Sequence, residues 1–529
     1  MKLFRFAIIA TIIAIIPIFI YAQKGLDAPM TKAVMKVYQN LLDEDPKDYE
    51  TYYHRACEYY KHNEYSKALS DINNALKYTP QAQISTRVEQ LVLRANIYEL
   101  QGNLNDALTD LITANKLNPS SYIVLYQKAN IEYQLGKYVE AKNDYIRMQR
   151  INNRSQEALI GLARIAVKEN NYGLANEYSD QAVDIDPSQA DIYVRRASIK
   201  SMMGNYNGAV DDLILAISTD NNNTRALQEL VKLSNDNYPA VVSGLSNAIR
   251  QAPKVGMFYY IRAVIAEAHH KYLAAIADYK KIIYENLYNY SGIYNSIAKC
   301  YYALGNYEEA LDNVDYALSA SKNDKEYYTT KAKILRALNN ETSSIECANI
   351  ALGIDANYNE ALIQKALALT DLGEDENATA LLGEITLNDA SNAYAHLQRA
   401  WILDKKMNQN NNARVFYNRV ISLSSNDIKS YKGFAYLCVG DRTSATKWIN
   451  DILTSLETSD GYEYYIATCL YALDGDSENA LKYMELALEK GYANYHDWKT
   501  NNDGYINVSS IRGLPQFNNL INKYSSLFN

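Results

Sequence analysis

Histidine and cysteine are the side chains best suited to metal binding or nucleophilic chemistry, and this 529-residue chain has only six His and five Cys. Two histidines adjoin at His269-His270, just before Tyr272, where a polar helix-to-helix turn is expected anyway. The cysteines (Cys57, Cys300, Cys347, Cys438, Cys469) form no C-x-x-C pair and no metal-ligand spacing. They read as buried helix thiols, although Cys438 and Cys469, 31 residues apart, could bridge neighbouring units. The chain contains no H-E-x-x-H, no phosphate-binding glycine loop, no G-x-S-x-G and no G-x-G-x-x-G. No metal, cofactor or catalytic set is therefore expected. The unusual residue is tyrosine, with 48 copies against 8 Phe and 3 Trp.

Charge and composition narrow the class further. A net charge of −8 with no long basic run disfavours nucleic acid as a partner. Apolar residues make up 48 % and charged residues 22 %, a globular composition. Glycine (21) and proline (9) are too scarce for a linker-rich or all-β chain. At this length a single core stops growing, so the chain is either several domains or a core extended sideways. Lys2 and Arg5 precede an apolar run from Phe6 to Ile20, interrupted by Pro17 and followed by Tyr21-Ala22-Gln23. That pattern is a secretory signal peptide over residues 1–22, cleaved after Ala22. The mature protein is then exported, periplasmic or surface-associated, with no membrane span; uncleaved, the same run would tether it.

The elements that position the remaining side chains are legible from spacing. Alanine recurs at Ala68, Ala107, Ala141, Ala175, Ala209, Ala275 and Ala310, and from Ala107 onward the gaps are 34, 34, 34, 66 and 35 residues. Tyrosines three residues earlier, among them Tyr138, Tyr172, Tyr206, Tyr272 and Tyr307, keep the same beat. A period of this size sustained over 400 residues indicates stacked supersecondary units. Each unit reads as two helices: Tyr294, Ile297, Ala298 and Tyr301 form one stripe, Gly305-Asn306 breaks it, and Ala310, Val314 and Ala317 form the next.

The pattern resembles the tetratricopeptide repeat, in which an aromatic or Leu, a small residue, Tyr, Ala, an aromatic, Ala and Pro recur over 34 residues. Pro46, Pro80, Pro119, Pro187 and Pro253 stand at the terminal place of that pattern. The resemblance implies an all-α, right-handed superhelical α-solenoid of about thirteen hairpins over residues 49–494. Capping elements are expected at 23–48, through Val34, Tyr38, Leu41 and Leu42, and at 495–529, through Phe517, Leu520, Ile521 and Tyr524. Units at 224–255, 393–427 and 428–460 depart from the pattern in length or in their small residues.

A second regularity lies inside the units. Arg55, Arg94, Lys128, Arg196 and Arg262 precede the small residue of their first helices, and Asp71, Asp110, Asp144, Asp212 and Asp278 follow sixteen residues later. Units with an apolar residue at the basic place lack the Asp; Lys331, Lys365 and Arg399 keep the base without it. The expectation is a structural ion pair across the hairpin, or to its neighbour.

In the resembled family ligands lie along the concave face lined by first helices. The hairpin register places Tyr53, Cys57 and Tyr60, then Val92, Asn96 and Glu99, then Tyr126, Asn130 and Tyr133 on that face. Ile160, Arg164 and Val167 follow, and Tyr260, Tyr302 and Tyr465 stand at matching places further on. Tyr and Asn suit an extended peptide, because Tyr offers area at low entropy cost and Asn bonds a backbone amide both ways. The Lys/Asn cluster with which some members grip a chain-terminal carboxylate is absent: Tyr53, Cys57, Val92, Asn96, Ile123 and Gln127 hold those places. The expected function is a scaffold for protein or peptide partners in envelope assembly or secretion. Glycan or small-molecule binding by the Tyr-rich groove is the alternative, and an enzyme is least favoured.

Overall fold

The computed structural model describes residues 34–288, 292–423, 429–454 and 461–528. The expected signal peptide lies outside them. Every regular element among the described residues is helical. Successive helices pack as antiparallel pairs, such as Tyr49–Lys61 with Tyr65–Tyr78, Tyr122–Gln134 with Tyr138–Ile151, and Gly292–Ala303 with Tyr307–Ala320. The fold is an α-solenoid. No helix among the described residues is long and apolar enough to cross a membrane.

The alanines of the repeat are what let each pair close. Ala56, Ala68 and Ala75 are fully buried in the first hairpin, and Ala298, Ala310 and Ala317 are fully buried in a later one. Without long side chains at these places, the two backbones approach and the flanking Tyr and Leu cover the seam. Between the helices the chain passes through one left-handed residue. That place holds Gly102, Gly136, Gly204, Gly305, Gly373, Gly440 and Gly475, or an Asn such as Asn63, Asn170 and Asn339. In the Gly305 turn, Asn306 N donates to Tyr301 O at 2.9 Å, closing the last turn of the first helix.

The units that depart in sequence depart in backbone. Thr224–Gln251 runs as one helical stretch broken at Asn237 (φ −152°), with Pro239 just beyond, so a bend replaces the glycine turn. In the unit after Ala393–Trp401, a π-helical turn, Ile402–Lys406, leads to Asn410–Ser422. All five cysteines are free thiols. Cys438 lies against Tyr417 and Tyr505 rather than bridging to Cys469.

Contacts divide the chain into two compact units: an N-terminal one up to Leu233 with Asn237–Gly244, and a C-terminal one, Leu245–Asn529 with Ser234–Asp236. In the N-terminal unit residues 34–44 are helical, and of the expected capping stripe only Leu42 is buried, while Val34 and Leu41 remain exposed. In the C-terminal unit the helix Pro515–Lys523 buries Phe517 and Ile521 and ties to the last hairpin through Lys523–Glu485 (2.6 Å). The stretch before it does something else, and it reshapes the site.

Candidate functional site

Each of the five base–acid pairs is an ion pair in the structure. Arg55 Nε lies 2.6 Å from Asp71 Oδ2, and Lys128 Nζ lies 2.6 Å from Asp144 Oδ2. Arg94, Arg196 and Arg262 each place Nη2 2.7 Å from Oδ1 of Asp110, Asp212 and Asp278. The arginines grip their aspartates with Nε and Nη2 together, and Nη1 reaches back to the preceding unit. Its acceptors are Gln39, Asn73, Asp180 and the Ser246 hydroxyl. One guanidinium thus ties both its own hairpin and the joint to the one before, which lysine cannot do with the same geometry. Lys331, without an Asp in its own hairpin, bonds Asp315 sixteen residues back at 2.6 Å, and Arg399 instead stacks 4.4 Å over Phe416.

The aspartates of these pairs are buried, so removing one strands a partly buried cation. Asp110→Ala is expected to cost the N-terminal unit about 1–3 kcal/mol. Asp315→Ala, at a side chain half exposed, is expected to cost under about 1 kcal/mol. Urea midpoints of the two variants provide the comparison.

In the N-terminal unit the expected groove residues fall on consecutive first helices, and most of them are half-buried. Tyr53 and Tyr60 stand on Tyr49–Lys61; burial pushes the Tyr53 hydroxyl up to about 12. Asn96 Oδ1 accepts from Gln127 Nε2 at 3.0 Å, and Asn130 Oδ1 accepts from Tyr145 OH at 2.7 Å. Each Asn oxygen thus already accepts one hydrogen bond from within the protein. Gln127 Oε1, in contrast, is buried with no hydrogen-bond partner among the described residues. Arg164 lies 4.0 Å over the ring of Tyr133, which is buried beneath it, while Tyr126 stays half-buried. Gly161 permits this packing: a Cβ there would come within 2.4 Å of the Tyr145 ring.

In the C-terminal unit the same register positions are not open. Tyr260 is buried against Tyr279 and Tyr288, and Tyr302 is buried under the chain's own residues 490–511. This stretch leaves the last hairpin and runs back across the first helices. Lys271 Nζ donates to Gly491 O at 3.2 Å. The His496 ring has Nε2 2.7 Å from Tyr302 OH, and Nδ1 2.7 Å from Tyr307 OH. Arg336 holds Asp503 with both terminal nitrogens and reaches Asp371 at 3.1 Å. Tyr505 OH donates to Asp404 Oδ2 at 2.9 Å, and Ser510 Oγ donates to Ala472 O at 2.9 Å. Tyr302, Arg336, Tyr465 and Ala472 all stand at the places the hairpin register assigns to the concave face. The expected cap at 495–529 is thus only partly a cap. Its first half is an occupant of the groove.

The seat is tight. Tyr492 and Trp498 are essentially inaccessible, and the Trp498 ring stands edge-on to Tyr465 at 5.0 Å. Gly305, in its left-handed turn, takes the Tyr495 ring so closely that a Cβ would meet it at 2.8 Å. Burial drives the His496 pKa down to about 3, helped by Lys333. The ring is neutral in the folded state, whereas an unfolded histidine titrates near 6.5. Between those values the unfolded chain binds the extra proton, so stability falls as pH drops below about 6.5. Moving from pH 7 to pH 5 is expected to remove up to about 2 kcal/mol through this group, read by thermal melts. His496→Gln is expected to lack that component.

The period, the paired helices and the one left-handed residue per turn leave one question, whether a known protein shares this repeat in sequence. No family model matches the chain. Human tetratricopeptide repeat protein 6 is 28 % identical over 122 residues, 23 % of this chain and 22 % of that protein. In repeat pattern and helical-hairpin fold, this chain is similar to tetratricopeptide-repeat proteins. It spans about a fifth of the length of that curated relative. Solved structures with likeness to the repeat array include a tetratricopeptide repeat protein from Parabacteroides merdae, at 19 % identity and TM-score 0.29, covering 54 % of this chain and 98 % of that one. Yeast Tom70, at 15 % and 0.36, covers 75 % and 97 %. YrrB, described as having an unusual peptide-binding site, stands at 18 % and 0.28, covering 36 % and 96 %. At such scores these likenesses add nothing to the repeat geometry itself. Among the described residues, no group of three His, Cys, Asp or Glu is placed to hold a metal ion.

The groove occupant does not show in the repeat pattern. Residues 492–505 look polar and glycine-containing, yet they carry Tyr492, Tyr495, Trp498 and Tyr505, one of the chain's three tryptophans among them. That aromatic density was the available signal.

Proposed function

We propose that this repeat protein is an exported, non-catalytic scaffold whose N-terminal unit binds an extended segment of a partner protein along its concave face. One observation carries the reading. In the C-terminal unit, the same register positions already hold a polypeptide, gripped by Tyr hydroxyls, an Arg–Asp pair and backbone carbonyls. The N-terminal unit offers Tyr53, Tyr60, Tyr126 and Arg164 at those positions, and the Gln127 oxygen next to Tyr126 in the chain has no hydrogen-bond partner among the described residues. A buried carbonyl oxygen lacking a donor favours a ligand that brings one, as a peptide backbone does. The charged and apolar run of residues 1–22 supports export, and a role in envelope assembly or secretion is the part of this reading that rests on export.

Screening the chain purified from residue 23 against a peptide library tests the reading. Bound peptides are expected to lose at least tenfold in affinity to Tyr126→Ala, a hot-spot effect of about 1.4 kcal/mol or more. Peptides that bind equally well to Tyr126→Ala and Gln127→Ala, or no binding at all, would count against it. A glycan stacked on the tyrosine rings is the competing reading for this face, and a glycan array separates the two. N-terminal sequencing of fractionated cells decides between cleavage and tethering.

A further inference from the structure

A cation lying over a tyrosine of the preceding first helix recurs at equivalent places in the two units. In the C-terminal unit the Lys333 ammonium, on Lys325–Ala337, sits 4.5 Å over the ring of Tyr302, on Gly292–Ala303. In the N-terminal unit the Arg164 guanidinium, on Gln156–Lys168, sits 4.0 Å over the ring of Tyr133, on Tyr122–Gln134. The register matches residue for residue. Each cation directly follows a fully buried alanine, Ala332 or Ala163, and each tyrosine stands four residues after another, Ala298 or Ala129. The two places differ in what lies on them.

In the C-terminal unit the chain's own returning stretch is seated there. The His496 ring lies 4.4 Å from the Tyr302 ring, with Nε2 2.7 Å from the Tyr302 hydroxyl. One turn beyond Lys333, Arg336 takes the Asp503 carboxylate with two bonds, at 2.8 and 2.5 Å. Two residues on, Tyr505 OH donates to Asp404 Oδ2 at 2.9 Å. The occupant thus presents an internal acidic side chain, with an aromatic close behind it, to an arginine of a first helix.

In the N-terminal unit the equivalent guanidinium is unspent. Arg164 is half-buried, and among the described residues it makes no ion pair and no hydrogen bond. The first helices on either side of its own pack against it in succession. Glu157, Asp191 and Arg225 stand 34 residues apart on consecutive first helices, Glu157 one turn before the concave place Ile160. Asp191 serves two arginines, accepting from Arg195 Nε and Arg225 Nη1 at 2.7 Å each. Glu157 accepts from the Tyr122 hydroxyl at 2.8 Å. Arg164, Arg195 and Arg225 therefore meet only Glu157 and Asp191 along this row, although the chain as a whole carries −8. A guanidinium held flat on a buried ring keeps its donors in a fixed fork, which a carboxylate fits with two bonds. We infer that the segment bound by the N-terminal unit is acidic: an internal Asp or Glu, with an aromatic residue near it in sequence, is taken by Arg164 above Tyr133 as Asp503 is taken by Arg336. This rests on the peptide reading of that face. A chain-terminal carboxylate has the same charge, but the segment seated in the other unit offers a side chain.

Fluorescence anisotropy on the full chain tests this with labelled peptides built on the occupant's own Asp503-Gly504-Tyr505. The probes are tandem Asp-Gly-Tyr and its neutral isostere Asn-Gly-Tyr, both amidated, and Asn-Gly-Tyr with a free terminal carboxylate. The Asp peptide is expected to bind about tenfold or more tighter than the amidated Asn peptide, the free terminus adding less than about twofold. Added salt is expected to shrink that preference. Arg164→Gln is expected to bring the Asp peptide to the affinity of the Asn peptide, with circular dichroism, melting and Asn-peptide binding unchanged. Arg164→Lys is expected to keep part of the preference. Equal affinity for the Asp and Asn peptides, both weakened by Tyr126→Ala, would overturn the acidic assignment and leave the peptide reading standing. A preference untouched by Arg164→Gln, or one carried by the free terminus, would overturn it as well. Binding of none of the probes would remove the peptide reading and this inference together.

Discussion

Trp498→Ala is expected to destabilise the C-terminal unit by about 3–5 kcal/mol, the range for emptying a buried aromatic site. The indole is fully inaccessible, stands edge-on to Tyr465 at 5.0 Å and to Tyr492 at 5.8 Å, and donates Nε1 to Tyr492 O at 3.2 Å. Its own carbonyl accepts from Arg512 Nε at 2.7 Å, which ties the returning chain to itself. The site cannot collapse easily, because its walls are first helices fixed in their own hairpins. Urea unfolding followed by circular dichroism is expected to show the transition of this unit at a much lower midpoint. A strap lying loosely in the groove would give a shift within about 0.5 kcal/mol, as surface substitutions do.

Arg336→Met is the second large effect, expected at about 3–5 kcal/mol at pH 7. The loss comes from the carboxylates left behind rather than from the arginine itself. Burial alone would raise the Asp503 carboxyl, and the adjacent Arg336 outweighs it, holding that carboxyl below the usual aspartate range. A carboxylate with a depressed folded-state pKa adds stability that is present above its unfolded value, about 3.9, and is lost as pH falls through the folded one. The intact protein is therefore expected to lose this contribution only below about pH 4, on top of the His496 loss that begins near 6.5. In Arg336→Met the Asp503 carboxyl loses its counter-charge, and the destabilisation is expected to shrink as acid neutralises it. Asp503→Asn in the Arg336→Met background is expected to recover part of the loss, with the coupling read from a double-mutant cycle.

How much of this was readable beforehand follows from what sequence periodicity records. A 34-residue beat of alanine and tyrosine records local packing within and between neighbouring hairpins, so the helices, their turns and the base–acid spacing could be read directly. Arg94 and Asp110 are sixteen residues apart, and that pair needs only hairpin geometry. The seat of residues 490–511 is different in kind. Tyr302 meets His496 across 194 residues and Arg336 meets Asp503 across 167, and no repeat period encodes such a meeting. The same limit explains Tyr260 and Tyr302, placed on the concave face by register yet buried there. Register assigns a face. It does not say what already covers it.

A photo-cross-linking amino acid placed at Tyr126 in one version of the protein and at Lys333 in another, both expressed in the native cell envelope, tests the central claim most directly. The expected result is an adduct between position 126 and a second polypeptide, lost when Gln127 and Arg164 are also replaced by alanine. Position 333 is expected to cross-link only within the chain, to a peptide spanning 497–503. A protein adduct at 333, or none at 126, would contradict the assignment of the partner to the N-terminal face and of the C-terminal face to the chain itself.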